Sequence, residues 1–125
     1  MTRSTPSAGA NSTGQSIRIA FDFLRAGRLA EAESLARRLR ESTPSVIVSL
    51  LSCDVAEQRT GPADALAYVD AALQRYGGRG ELLLRRAQLL VALGRWPEAT
   101  AVALQAAARS PADLRIQHGA ALLVM

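Results

Sequence analysis

Residues 81–113 read ELLLRRAQLL VALGRWPEAT AVALQAAARS PAD, two helical patterns around a turn. In the first pattern Leu83, Ala87, Leu90 and Val91 recur at helical spacing, and in the second Ala99, Val102, Ala103 and Ala106 do the same. Between them Gly94 can adopt the left-handed conformation that ends a helix, and Pro97 suits the first turn of the next one. Pro111 blocks continuation of the second helix. The stretch is therefore a helical hairpin closed by a proline.

Moving outward, the same marks recur upstream. Gly27, Ala32 and Pro44 precede Gly94, Ala99 and Pro111 at one constant offset, close to two periods of a helical-hairpin repeat. This spacing resembles the tetratricopeptide repeat (TPR), a family with a helix–turn–helix period of about 34 residues, small residues where helices cross and a late proline. Ala87, Ala99 and Ala106 supply the small residues here. Leu83 replaces the family's early aromatic, and Arg86 falls where a large apolar residue is usual. The resemblance implies an all-α, right-handed superhelix of three hairpins and a C-terminal capping helix. Repeats of about 15–45, 46–79 and 80–113 and a cap over 112–125 follow, in one domain spanning 15–125.

Residues 1–14 carry Ser, Thr, Pro, Gly and Asn without periodicity and read as a flexible tail, with a regulatory or targeting arm as the alternative. Helix 1 is expected from about Ser16 to Ala26, with Ile19, Ala20 and Phe23 in the internal core and Ile17, Phe21 and Leu24 as a surplus apolar stripe. That stripe either receives a partner or packs on a second copy or the chain's own tail. Helix 2, about Leu29 to Glu41, turns Ala32, Leu35, Ala36 and Leu39 inward and points Arg37, Arg38 and Arg40 mostly outward.

Helix 3, about Pro44 to Arg59, has two candidate registers. A strict count from Pro44 buries Asp54 and Glu57; a count back from Ala65 buries Cys53 and Ala56 instead. Burying two unpaired carboxylates costs several kcal/mol, which favours the second register and a one-residue deletion after Pro44. Helix 4 runs from about Pro62 to Tyr76 with Ala65, Val69 and Ala72 inward. Helix 7, about Ala112 to Val124, offers Leu114, Ile116, Ala120, Leu123 and Val124 to cover the last hairpin. Its apolar end packs on a partner or belongs to a longer chain.

Composition sets wider bounds. At 125 residues the chain can bury one core. Its formal charge is +4, and every basic residue is arginine, a bias that fits a genome rich in G and C. The single Cys53 leaves no internal disulfide. Neither a membrane-length apolar run nor a signal-peptide core is present in the sequence, which makes a cytoplasmic location the default expectation.

Chemistry finds little support, and no cofactor or enzyme activity is expected. Cys53 and His118 belong to distant helices, and metal-ligand spacing is missing. Gly77-Gly78-Arg79-Gly80 lacks the lysine and hydroxyl of a nucleotide P-loop and follows no strand. Arg85-Arg86 and Arg37-Arg38-Arg40 could meet phosphates, yet aromatics do not interleave with them, so RNA binding is the weaker class. Trp96 at the turn is expected to pack in the core.

The family binds an extended peptide or a partner helix on the first helices of its hairpins. Carried onto this chain, the resemblance implies a groove of Ile17, Phe21 and Leu24, then Leu50, Asp54 and Glu57, then Leu84, Gln88 and Val91, and finally His118 and Leu122. This apolar set with an acidic centre suits an amphipathic helix. The architecture of Ile17 to Met125 looks like the needle-subunit co-chaperones of bacterial type III secretion, which implies a protein partner and either a second small chaperone or a homo-oligomer. The alternative is the N-terminal TPR module of a larger enzyme, such as the TPR-containing sulfotransferases.

Overall fold

A computed structural model describes residues 6–124 of the chain, with side-chain surroundings from residue 12 onward. Seven helices follow in order: α1 Pro6–Arg25, α2 Leu29–Ser42, α3 Val46–Arg59, α4 Pro62–Tyr76, α5 Gly80–Ala92, α6 Trp96–Arg109 and α7 Leu114–Leu123. The described residues contain no strand. None of these helices is long and apolar enough to cross a membrane.

Each boundary has a local cause. Gly27 and Gly94 take φ of 77° and 78°, the left-handed stop that only glycine adopts cheaply. The hydrogen bonds around them match. Gly27 N–H donates to Leu24 and Arg28 N–H to Phe23, as Gly94 N–H does to Val91 and Arg95 N–H to Leu90. These are two copies of the Schellman closure. Pro62 and Pro97 sit in the first turns of α4 and α6. Ser45 caps α3 by accepting from Val48 N–H at 3.2 Å, and Asp113 caps α7 by accepting from Arg115 and Ile116 N–H at 3.0 and 3.3 Å.

The repeat is visible in the helix starts. α3, α5 and α7 begin at Val46, Gly80 and Leu114, which are evenly spaced. The step from the start of α2 at Leu29 to the start of α3 at Val46 is one shorter than the next two. Those run from Pro62 to Gly80 and from Trp96 to Leu114. The missing residue thus falls between α2 and α3, where the Cys53 register requires it. Cys53 and Ala56 are buried, while Asp54 and Glu57 are only partly covered.

Three clusters make up the core, one per hairpin, and each recruits the helix that comes next in the chain. Val48, Leu51 and Val55 of α3 pack back on Ala20, Ala32, Ala36 and Leu39. Leu82 and Leu89 of α5 join Cys53, Ala56, Ala65, Val69 and Ala72. Ile116 and Ala120 of α7 close on Leu83, Ala87, Leu90 and the alanine face of α6. Along the chain every helix touches its successor, and α1 touches α3, α3 touches α5 and α5 touches α7. Among the described residues the even helices do not touch one another.

Several expectations need correction. Residues 1–5 of the proposed tail lie outside the described residues, but 6–14 belong to α1, which begins at Pro6 rather than near Ser16. Ile19, expected in the core, is 46% exposed, because α1 packs through Ala20 and Leu24 instead. Trp96 is 52% exposed at the first position of α6 rather than packed. Leu114 and Val124 are exposed and lie outside the core clusters; α7 closes the hairpin through Ile116, Ala120 and Leu123. Arg40 does not point outward. Its guanidinium donates to Ser52 Oγ at 2.8 Å and Glu33 at 3.2 Å and lies over the Tyr68 ring.

Arg86, at a position where a large apolar residue was expected, has an explanation in the packing. It is half-buried and donates to Asp70 at 2.8 Å and Glu98 at 3.5 Å, tying α5 to both α4 and α6. The equivalent residue one repeat earlier is Ser52, buried and hydrogen-bonded to Val48 carbonyl and to Arg40. A polar tie occupies the same place in both repeats.

Candidate functional site

A cleft of about 480 Å³ opens across the N-terminal parts of α3, α5 and α7. It exists because these helices stack at a constant sequence offset, so equivalent side chains fall in rows. Leu50 and Leu84 form one row and line the cleft; His118, next in that row, is exposed on α7 outside it. One turn earlier the row is Ile47, Glu81 and Arg115, all of which line it. Ile116 supplies apolar wall from α7, and Ile47 is 48% exposed beside it.

The groove residues expected from the sequence divide into three groups. Leu50, Leu84 and Gln88 line the cleft together. Asp54 sits beside it, ion-paired to Arg85, which also lines it; both are about one quarter exposed, at 23% and 27%. The acidic centre is therefore partly neutralised from the neighbouring helix. Glu57 is partly buried next to Cys53.

The second group is drawn into the core. Leu24 is buried in the first hairpin, so it holds α1 to α2 and α3 and is unavailable to a partner. Ile17 and Phe21 pack half-buried against the same cluster, and Val91 against the last one. The surplus stripe on helix 1 is thus spent largely on its own hairpin. The third group, His118 and Leu122, is exposed on α7 and does not line the cleft.

Sequence reasoning missed Val46, Ile47, Glu81, Arg85, Asp113, Arg115 and Ile116 as cleft residues. A signal was present: Ile47, Glu81 and Arg115 recur at the repeat spacing, one helical turn before the row that contains Leu50 and Leu84.

Gly119 matters to the shape of this region. A Cβ there would come 2.8 Å from Leu84 Cδ2, so the bare backbone of α7 lets Leu84 lie against it. Leu84 is held between the α5–α6–α7 cluster and the cleft.

Titration chemistry points away from a reactive thiol. Burial pushes the Cys53 thiol from 9.0 up to about 11, Arg85 works in the opposite direction and Glu57 adds to the rise. The neutral thiol is the stable form, and a buried neutral thiol is a poor nucleophile. Native Cys53 is expected to react with a thiol reagent far more slowly than the unfolded chain does. Because the unfolded thiol ionises from about 9 and the folded one only near 11, this group's contribution to stability is lost as pH rises through that window. Fast labelling of the native protein would place Cys53 outside the core. Cys53 is fully buried on α3 while His118 is exposed on α7, and among the described residues these two helices make no direct contact. Among the described residues no group of three or more His, Cys, Asp or Glu side chains is placed to hold a metal ion.

Compared with family models, curated proteins and solved structures, the chain matches none of them.

Proposed function

We propose that the chain is a TPR-like, right-handed superhelical interaction module, without enzyme activity of its own, that takes an amphipathic helix or extended peptide of a partner protein. The observation that carries this reading is the cleft over α3, α5 and α7, where Leu50, Leu84, Ile116 and Ile47 present apolar surface from two consecutive hairpins and the last helix. An amphipathic helix recognised by such a groove inserts side chains at i, i+3, i+4 and i+7. Contacts between successive odd helices, with none between even ones, support a stack curved toward that side. The chaperone form of this reading has the aggregation-prone helix of a type III secretion needle subunit as client.

Exposed Leu114 and Leu122 on α7 favour a second reading, in which a further packed element covers them and the chain is the TPR module of a larger enzyme such as a sulfotransferase.

The test uses the partner recovered by co-purification from the native host. Phe21→Ala is a poor probe, because Phe21 supports the first hairpin. Ile47→Asp puts a charge into the cleft at an exposed position, so its melting temperature should stay close to wild type. The expected result is a loss of affinity of roughly tenfold or more, about 1.4 kcal/mol, with little dependence on salt. Unchanged affinity would reject the cleft. A steep fall of wild-type affinity with salt would favour a phosphate-binding surface.

A further inference from the structure

A second concavity lies on a different face of α3. Because α2 and α4 do not touch, a furrow runs between them. Arg40 crosses it as a strut from α2, stacked on the Tyr68 ring of α4 at 5.2 Å and donating to Ser52 Oγ beneath. On one side of the strut is a pocket of about 150 Å³ lined by both Arg40 and Arg75 and by no carboxylate. On the other side the lining includes Glu33, Asp64 and Arg59, so the two halves of the furrow differ in charge.

The charge within the first pocket can be counted. Arg40 is paired with Glu33 at 3.2 Å. Among the described residues Arg75 has no carboxylate partner and lies over the Tyr76 ring at 5.5 Å. One positive charge is left uncompensated in a pocket that Ser49 and a wall of Pro44, Val48, Ala72 and Tyr76 also line. A cavity of roughly 150 Å³ accommodates a group the size of benzene. A guanidinium recognises a carboxylate through paired N–H donors.

We infer that this pocket, framed by Arg40, Arg75, Tyr68 and Tyr76, binds a single carboxylate carried on a small apolar or aromatic body. A monoanion matches the one free charge, and the apolar wall excludes a fully hydrated polyanion. The site is independent of the cleft over α3, α5 and α7. Two sources share this chemistry: a free aryl or aliphatic acid, and the C-terminal residue of a peptide.

The test is a titration of the full chain with benzoate, benzamide, and a short peptide ending in phenylalanine with a free or an amidated C-terminus. The Tyr68 and Tyr76 ring resonances are followed by NMR. Saturable shifts are expected with benzoate or the free-acid peptide and not with their neutral counterparts. Arg75→Gln, a change at an exposed side chain, should weaken binding about tenfold, while Arg38→Gln leaves it unchanged. Tighter binding of the free-acid peptide than of benzoate assigns the source to a peptide terminus, and the reverse order to a free acid. Equal binding of the neutral counterparts, affinity unchanged in Arg75→Gln, or no saturable shift with either acid would overturn the assignment.

Discussion

Leu90→Ala is expected to destabilise the protein by about 3–5 kcal/mol, the upper part of the range for such truncations in a core. Leu90 is fully buried between α5, α6 and α7. Its surroundings explain the size of the effect. Ala87, Ala99, Ala103 and Ala106 belong to the same cluster, and an alanine has no rotamer with which to fill a neighbour's vacated space. The cavity should persist, and the cost of a cavity grows with the volume that stays empty. Denaturant melts followed by circular dichroism give the number. Leu104→Ala on exposed α6 surface is the control and should stay within about 0.5 kcal/mol of wild type. A loss below about 1 kcal/mol at Leu90 would mean that the last hairpin does not pack as described.

Gly80→Ala should cost about 2–3 kcal/mol through overpacking. The added Cβ would lie 2.0 Å from Ser110 Oγ, 2.9 Å from Ser110 Cβ and 3.0 Å from Ile116 Cδ1. A hydroxyl can rotate away, but Ser110 Cβ moves only with its backbone. That backbone is tethered: Ser110 N–H donates to Ala106 carbonyl, and Gln117 Nε2 donates to Ser110 carbonyl at 3.0 Å. The close approach of α5 to the α6–α7 turn therefore requires glycine. Gly78→Ala, whose Cβ would meet only the Arg109 guanidinium at 3.5 Å, should be near neutral. Similar melting curves for both variants would contradict the approach of α5 to that turn. Since Ile116 also lines the cleft, Gly80→Ala should perturb partner binding beyond its effect on stability.

Much of the fold was legible because the hairpin marks are chemically unambiguous. Gly27, Gly94, Pro62 and Pro97 fix turns through backbone conformation, and the alanine faces of α2, α4 and α6 fix which side is buried. α3 was harder, since it packs on two neighbours at once and its buried residues Val48, Leu51, Cys53, Val55 and Ala56 leave no clean amphipathic stripe. Its register follows from the energetic cost of burying Asp54 and Glu57. The overlooked regularity was Val48, Leu82 and Ile116, three residues at the repeat spacing that each pack back on the preceding hairpin.

The cleft was less legible for a related reason. Sequence spacing identifies which residues share a row but not how far each row is covered by its neighbours. Ile17, Phe21 and Leu24 occupy rows equivalent to Leu50, Asp54 and Glu57, yet α1 turns them into the first cluster. Arg85 reads as a surface charge in the sequence and lies instead beside Asp54 in the cleft, an interhelical pairing that no local pattern encodes.

The most direct test of the central claim is site-specific photocrosslinking to the recovered partner. A benzophenone amino acid is placed at Ile47, which lines the cleft, or at Leu104, which is similarly exposed on α6 and away from it. An adduct is expected from position 47, mapped to an apolar face of one partner helix or peptide, and none from position 104. Adducts from 104 with none from 47 would contradict that claim.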